Sequence, residues 1–451
     1  MSCLSTLLLR PAAALCLALW LGAALPGQAA QTAAPVALTV WMHSGPGPER
    51  EALEASVRAF QQARPHIRLT LVGQEEGGYQ AALTAAAERG ALPCLLDLDG
   101  PNLPYWVARG ALRPLDDLLD RAAYQRRLLR TLQAQGQVDG KLYALGQYDS
   151  GLALWGHRGW LQKIGARIPA SGLEPWSGEE FEQVLAALKK AGARQPLDMK
   201  FDYGVGEWLT YAFLPLVQAQ GGDLLALRGG RLQARGALDS PASVQAFKRF
   251  QHWVRQGWVD ASGQGGRDFV EGRAGLSYVG HWTYREYQKA LGADLVLLPM
   301  PRLGPGRPVT GAGSWAWAVS ASCPHPQEAA QVLEHLMSPA EVLRVTRING
   351  AIPGTLEAIF ASETYGAQGP LRLYVDQILD RKARLRPVTP AYPVVSAEFA
   401  QAVRQLADGA DAERTLQAAA ARIDTLLEAP PPKPVPLPAA VTTAAAATPA
   451  R

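Results

Sequence analysis

The sequence predicts an α/β protein of two large lobes. Short apolar runs alternate with amphipathic stretches along most of the chain, the pattern of strands joined by crossover helices. The length of 451 residues, with 48% hydrophobic and 19% charged content, supplies apolar surface for more than one core at roughly 150 residues per domain.

The alternation is plainest near the start. Val36–Trp41 (VALTVW) is a β-rich run, and Pro48–Ala63 carries Leu53, Val57 and Phe60 at helical spacing. Ile67–Val72 (IRLTLV) alternates as a second strand, Tyr79–Glu88 is an Ala-rich helix, and Cys94–Leu98 is a short buried strand. Leu103–Arg109 and Leu115–Leu119 add helical pieces. Further on, Ser177-Gly178-Glu179-Glu180 is a helix start signal for Phe181–Lys190, and Val244, Phe247, Phe250 and Val254 mark a helix over Val244–Gln256. Leu295–Pro299 reads as a strand running into the Pro-rich turn Pro299–Pro308, and Trp315–Val319 as another strand. Pro326–Met337, Pro339–Arg347, Glu398–Leu406 and Thr415–Leu427 are the remaining helices.

The two ends differ from this body. Met1–Ala30 has one positive charge, Arg10, then the apolar run Pro11–Leu25 and the small residues Gly27-Gln28-Ala29-Ala30. That is the layout of a removable secretory signal with cleavage between Ala29 and Ala34, and the run is shorter than the ~20 residues a spanning helix needs. Cys16 follows Leu15, where a lipoprotein signal wants a small residue, so it counts as apolar filler. The exported chain then holds Cys94 and Cys323, either two buried thiols or one bridge, and not a disulfide scaffold. Residues 429–451 (from Pro430, PPPKPVPLPAAVTTAAAATPAR) are Pro/Ala-rich and are expected to form a disordered tail.

The chemistry that the sequence lacks is informative. A formal net charge of +4 on scattered Lys and Arg gives no nucleic-acid footprint. No P-loop, HExxH, GxSxG or CxxC motif is present, and the seven histidines show no metal-ligand spacing. Neither a cofactor nor a metal is expected. Gly311-Ala312-Gly313-Ser314-Trp315 resembles a phosphate loop but leads into a strand, so the helix N-terminus that binds phosphate is missing. Asp97 and Asp99, two apart on a strand, are the best carboxylate pair for acid–base chemistry; the alternative is that Asp97 caps a turn. Twelve tryptophans are a high count, and many stand beside turns. Indole faces stack on the C–H faces of sugar rings, whose hydroxyls pair with Asp, Asn and Arg in a concave site.

Several stretches, all in the same order, resemble the extracellular solute-binding proteins of ABC importers, in the carbohydrate-type subgroup that includes maltose-binding proteins. Leu38-Thr39-Val40-Trp41 leads into the helix ending FQQARP (Phe60–Pro65). Asp139–Leu145 (DGKLYAL) is similar to the family's DGK-Y-ALP run, and Leu152–Gly165 (LALWGHRGWLQKIG) to its strand and helix LYYNKDLFKKAG. Pro175–Phe181 (PWSGEEF) and Phe269–Trp282 (FVEGRAGLSYVGHW) have counterparts too. Gly311–Thr355 is the fullest match: GSWAWAVS, then HPQEAA, LMSP and the Ile348–Pro353 segment. The resemblance covers about residues 36 to 428. His157 departs from the family's usual Asn, and Gln147 stands where a Pro is common, which implies an altered hinge and near wall of the site.

The resemblance implies a two-lobed type II periplasmic-binding-protein fold, with hinge strands between the lobes and a ligand cleft that closes on its solute. Lobe one would be 36–147 plus 320–370, and lobe two 152–312 plus 371–428. The implied function is non-catalytic: a monomeric extracytoplasmic receptor, periplasmic or extracellular, that captures a sugar or oligosaccharide for a membrane permease. The implied ligand contacts are Trp41, His43, Ser44, Asp99 and Asn102 in lobe one, Asp149 and Ser150 at the hinge, Trp208, Tyr211 and Trp282 in lobe two, and Trp315. Arg347 or Asn349 is a further candidate. The alternatives are a secreted carbohydrate hydrolase using Asp97/Asp99 or Asp149, and a binding protein for a polyol phosphate or polyamine.

Overall fold

The computed structural model describes residues 35–169, 171–430 and 432–436. The secretory segment with Cys16, and residues 437–451, lie outside this range. The first part of the chain forms β1 (Val36–Met42), α1 (Pro48–Ala63), β2 (Ile67–Gly73), α2 (Glu76–Glu88), β3 (Leu95–Asp99), α3 (Leu103–Ala108), β4 (Ala144–Leu145) and β5 (Tyr148–Asp149). Next come β6 (Leu152–His157), α4 (Gly178–Lys190), β7 (Gln195–Asp198), α5 (Glu207–Ala219), α6 (Pro241–Arg255), β8 (Ala274–Gly280), α7 (Tyr284–Leu291) and β9 (Leu295–Leu298). The last part forms β10 (Thr310–Gly311), β11 (Trp315–Val319), α8 (Pro326–Leu336), α9 (Pro339–Asn349), β12 (Ile352–Pro353), α10 (Arg372–Leu379), β13 (Ala383–Arg384), α11 (Tyr392–Ala407) and α12 (Ala412–Leu427).

Two sheets define the two lobes. The first has the strand order β2-β1-β3-β11-β4, and the second the order β9-β6-β8-β7. In the first, β1 runs parallel to β2 and β3, while β11 inserts antiparallel beside β3 with Trp315 opposite Asp99. In the second, β8 is antiparallel to β6, and Gly280 pairs with Leu152. The chain therefore passes between sheets three times. It crosses after β4, returns between β9 and β11, and crosses again after β12. The crossings are stitched together where β5 pairs with β12, where β10 pairs with β13, and where Gly151 bridges Ala312.

Local chemistry accounts for the element ends. Ser177 accepts from the Glu180 amide at 3.0 Å and starts α4, with Lys189 and Lys190 in the last turn against the negative end of the helix dipole. Elements buried on all sides carry no polar face, so periodicity cannot find them. This applies to α5, whose residues from Leu209 to Val217 are all buried, and to β6 and β8, which are buried throughout. Leu115–Leu119 is a turn and not a helix. There the Leu115 amide bonds to the Leu142 carbonyl, and Asp116 accepts from the Leu142 amide, which fixes the backbone away from a helical ladder.

Part of the expected tail is ordered. Val435 is buried beside Trp106 and Leu83, its amide donates to the Arg109 carbonyl, and the Arg109 side chain donates to the Lys433 carbonyl. Proline pre-sets φ, so ordering a Pro-rich segment costs less entropy than ordering ordinary chain. Composition alone is therefore a poor guide to disorder here.

Cys94 and Cys323 form a disulfide joining the start of β3 to the loop after β11. It closes a loop spanning 229 positions of sequence. Serine replacement of both residues is expected to lower unfolding free energy by about 2–5 kcal/mol, read as a lowered urea midpoint; an unchanged midpoint would argue that the bridge constrains nothing.

A second expectation concerns His281, buried where the end of β8 meets Gly350 of the first lobe. Burial pushes its pKa down to about 3 from 6.5, against a smaller upward pull from the Gly350 carbonyl. The unfolded chain binds this proton below 6.5 and the folded chain does not. Stability should therefore fall on acidification from pH 6.5 toward 3, by up to about 1.4 kcal/mol per pH unit. Urea midpoints across that range should show a shallower slope in His281→Gln than in the native protein.

Candidate functional site

One cation lies between the lobes. Arg386 follows β13 in the third crossing, and Pro387 after it holds the backbone extended. Its guanidinium grips Asp99 at the end of β3 through two bonds of 2.7 and 2.8 Å, and reaches Glu207, the first residue of α5, at 2.7 Å. Tyr392 and Ser396 of α11 also donate to Glu207, the latter at 2.6 Å. Burial alone would lower the Arg386 pKa, but Asp99, Tyr392 and Glu207 hold it well above the ordinary value. Burial raises the Glu207 carboxyl, with Arg386 pulling it back down.

The guanidinium sits 4.9 Å over the ring of Tyr211. The Tyr211 hydroxyl meets Ser150 at 2.8 Å, and Ser150 donates to the Gly313 carbonyl at 2.7 Å. Asp149 accepts from the Ser150 and Gly313 amides at 2.8 Å each, and from the Thr131 hydroxyl. Gly313 has φ of +94°, and a Cβ there would lie 2.4 Å from the side-chain Oε1 of Gln135, so this hinge position favours glycine.

The first lobe presents an aromatic wall. Trp315 is half-buried, and the imidazole of His43 stacks on it with centroids 3.6 Å apart and planes within 3°. Behind it, His43 pairs through Nδ1 with Asp97 at 2.6 Å, and its amide donates to the same carboxylate. Burial lowers the His43 pKa, but Asp97 outweighs it and leaves the pKa raised. Tyr79 packs against Trp315 from the side, and Trp41, Ser44 and Asn102 are half-buried nearby on the ends of β1 and β3.

The second lobe presents the other wall. Trp208 and Trp282 meet edge to face at 6.0 Å, Tyr203 lies edge-on to Trp208, and the Trp282 indole donates to the Tyr203 hydroxyl at 3.1 Å. Trp282 is 37% exposed and Tyr203 44%, unusual for large rings unless they serve a surface. The Trp282 ring fills the space where a Cβ on Gly280 would sit, so that glycine is what lets the indole lie at the end of β8. Trp282, Tyr211, Arg386, Asp99 and Trp315 form an unbroken series of contacts and cross-strand pairing, so the two walls share one floor.

Some expected contacts have other duties. Asp149 is wholly buried and its carboxylate is taken by three donors, so it fixes the hinge and has no oxygen turned to a solute. Ser150 and Tyr211 are likewise spent on each other and on Gly313. Asn349 bonds to Glu49 and to the Ala351 amide, closing its own loop. His157 stands at the end of β6 far from Gly280, held by Asp294 and the Phe269 carbonyl, and so is no part of the near wall. Gln147 does belong to the hinge, between the Trp317 indole and the Leu336 carbonyl. Asp97 is not a turn cap: it pairs with the His43 imidazole, and Asp99 with the Arg386 guanidinium, so the two carboxylates are engaged separately. Arg386, Glu207 and Tyr203 were not foreseen. The only local signal for Arg386 is an Arg-Pro step in a crossing rich in cations.

The profile of the bacterial extracellular solute-binding proteins matches residues 55–368. Similar solved structures include the GacH receptor of Streptomyces glaucescens, studied unliganded and with acarbose and an acarbose homolog. It is 19% identical, with 87% of this chain and 99% of that chain covered at a TM-score of 0.74. The cyclic α-maltosyl-1,6-maltose binding protein from Arthrobacter globiformis is 22% identical, covering 87% and 99% at 0.72. An ABC transporter solute-binding protein from Thermotoga lettingae bound with α-D-tagatose is 19% identical, covering 87% and 100% at 0.72. Comparison with curated proteins by sequence finds no match. The two sheets and three crossings are the expected two-lobed type II periplasmic-binding-protein fold. With a profile match over well more than half its length, the chain belongs to the bacterial extracellular solute-binding proteins.

Proposed function

We propose that this protein is the extracytoplasmic receptor of an ABC importer, acting as a monomer that captures a sugar or oligosaccharide and delivers it to a membrane permease. The observation that carries the reading is an aromatic cluster on each lobe joined by a charged floor: Trp315 with His43, and half-buried Trp41, on one lobe, Trp208 with Trp282 on the other, and Asp99 with Arg386 and Glu207 between them. Indole faces suit the C–H faces of pyranose rings, and the floor suits their hydroxyls. The similar structures named above carry acarbose, a maltose-type saccharide or tagatose in their descriptions, which points the same way.

In this reading Trp41, Ser44, Asn102, Asp99, Trp208, Trp282 and Trp315 meet the solute, and His43 supports Trp315 from behind. Asp149, Ser150 and Tyr211 shape the hinge. Lobe one comprises 36–147 plus 320–370, with β11 (Trp315–Val319) added because that strand lies within the first sheet, and lobe two 152–312 plus 371–428. A solute that touches both walls stabilises the closed form by its differential affinity for it, and that is how capture couples to delivery. The N-terminal segment is removed on export, which places the receptor outside the inner membrane.

The test is calorimetric titration with a panel of maltooligosaccharides, cyclic glucans, ketohexoses, polyol phosphates and polyamines, followed by chromatography of the mixtures. Stoichiometric binding of a saccharide without conversion is expected; a new product, or binding confined to the charged solutes, would overturn the reading. Against the saccharide that binds, Trp282→Ala should weaken affinity about 10- to 100-fold, a loss of about 1.4–2.7 kcal/mol. Circular dichroism should show the variant folded, with a thermal midpoint lowered by the loss of its packing on Trp208 and Tyr211.

A further inference from the structure

Asp99 is fixed to the first lobe by β3, and Glu207 to the second by α5. A single side chain, 6% exposed, holds both. We propose that Arg386 is the positioning residue that sets how far the lobes stand apart before any solute arrives. The inference rests on the two-lobed capture reading, but not on the solute being a sugar.

The argument is one of charge and attachment. Nη1 of Arg386 donates to Asp99 at 2.8 Å and to Glu207 at 2.7 Å, so these carboxylates of different lobes share one donor nitrogen. Without the guanidinium they would face each other as like charges, Asp99 largely buried and Glu207 partly exposed, with repulsion only partly screened. Neither carboxylate can retreat within its own lobe. Asp99 ends a strand in the middle of a sheet, and Glu207 is tied by Tyr392 and Ser396 to α11. Separation of the lobes is then the movement that relieves the repulsion. With the guanidinium in place, the same movement must break charged hydrogen bonds on one side or the other. Arg386 itself comes from the third crossing, directly after β13, which pairs with β10 of the second crossing. The cation is therefore carried by the hinge and stays between the lobes as they move.

Solution scattering on the solute-free, full-length protein tests this, with circular dichroism to show that each variant is folded. R386Q should increase the radius of gyration and broaden the distance distribution. E207Q/R386Q, which removes one of the facing charges, should return toward the native value, and R386K should lie between R386Q and native. A radius of gyration unchanged in folded R386Q, or a double variant as expanded as R386Q, would overturn the proposal. Should R386Q not fold, R386K addresses the same question, because an ammonium cannot reproduce the fork that bonds both carboxylates. Expansion supports the proposal, and an unchanged radius sinks it. No solute is present in these measurements, so their failure is distinguishable from failure of the carbohydrate reading.

Discussion

A guanidinium enclosed by carboxylates from two lobes imposes conditions on everything around it. Taking such charges out of water is costly, and removing one partner of a buried pair typically costs about 3–5 kcal/mol. The surroundings show how that cost is offset. Asp99 receives two parallel bonds, Glu207 receives donors from Tyr392 and Ser396, and the face of Tyr211 lies against the guanidinium. Tyr211 is in turn held by Ser150, and Ser150 lies against Gly313 and Asp149. The hinge and the cleft floor are thus one hydrogen-bonded assembly, and a change at either end is transmitted to the other.

The tryptophans divide by the same logic. Trp106, Trp155 and Trp176 are sealed in the cores and act as volume. Trp282 and Trp315 stand at the end of a strand or just beyond it, with neighbours that orient them: Gly280 and Tyr203 for the first, His43 and Tyr79 for the second. The His43–Asp97 pair therefore fixes the Trp315 indole from behind.

Periodicity and strand-end logic made α1 and β11 legible to the residue, and α4 and α6 to within three residues at their starts, because each has one polar side or clear flanking signals. They failed for α5, where the chain is apolar on every face, and for Leu115–Leu119, where Asp116 diverts the backbone. Among the residues of the proposed site, Trp41, Asp99, Trp208, Trp282 and Trp315 are aromatics and an acid at element ends, a pattern visible in the sequence. Arg386 is not visible in this way. Its role arises from the pairing of two crossings distant in sequence, β10 with β13, and no local pattern encodes that meeting. Asp149 is visible as a hinge acid, but its bonds to three donors are not, since such an acid has the same sequence signature as a ligand-facing one.

The insertion of β11 into the first sheet has a consequence for how the protein is made. That strand lies between β3 and β4 and is bolted to β3 by the Cys94–Cys323 bridge, so no shorter stretch from the N-terminus can complete the sheet. The second lobe waits as well, since α11 and α12 cover α5 and α6. Contacts of such long range form late and slowly. Neither lobe is complete until most of the chain is available, and the first is locked only in a compartment oxidising enough to join the two sulfurs.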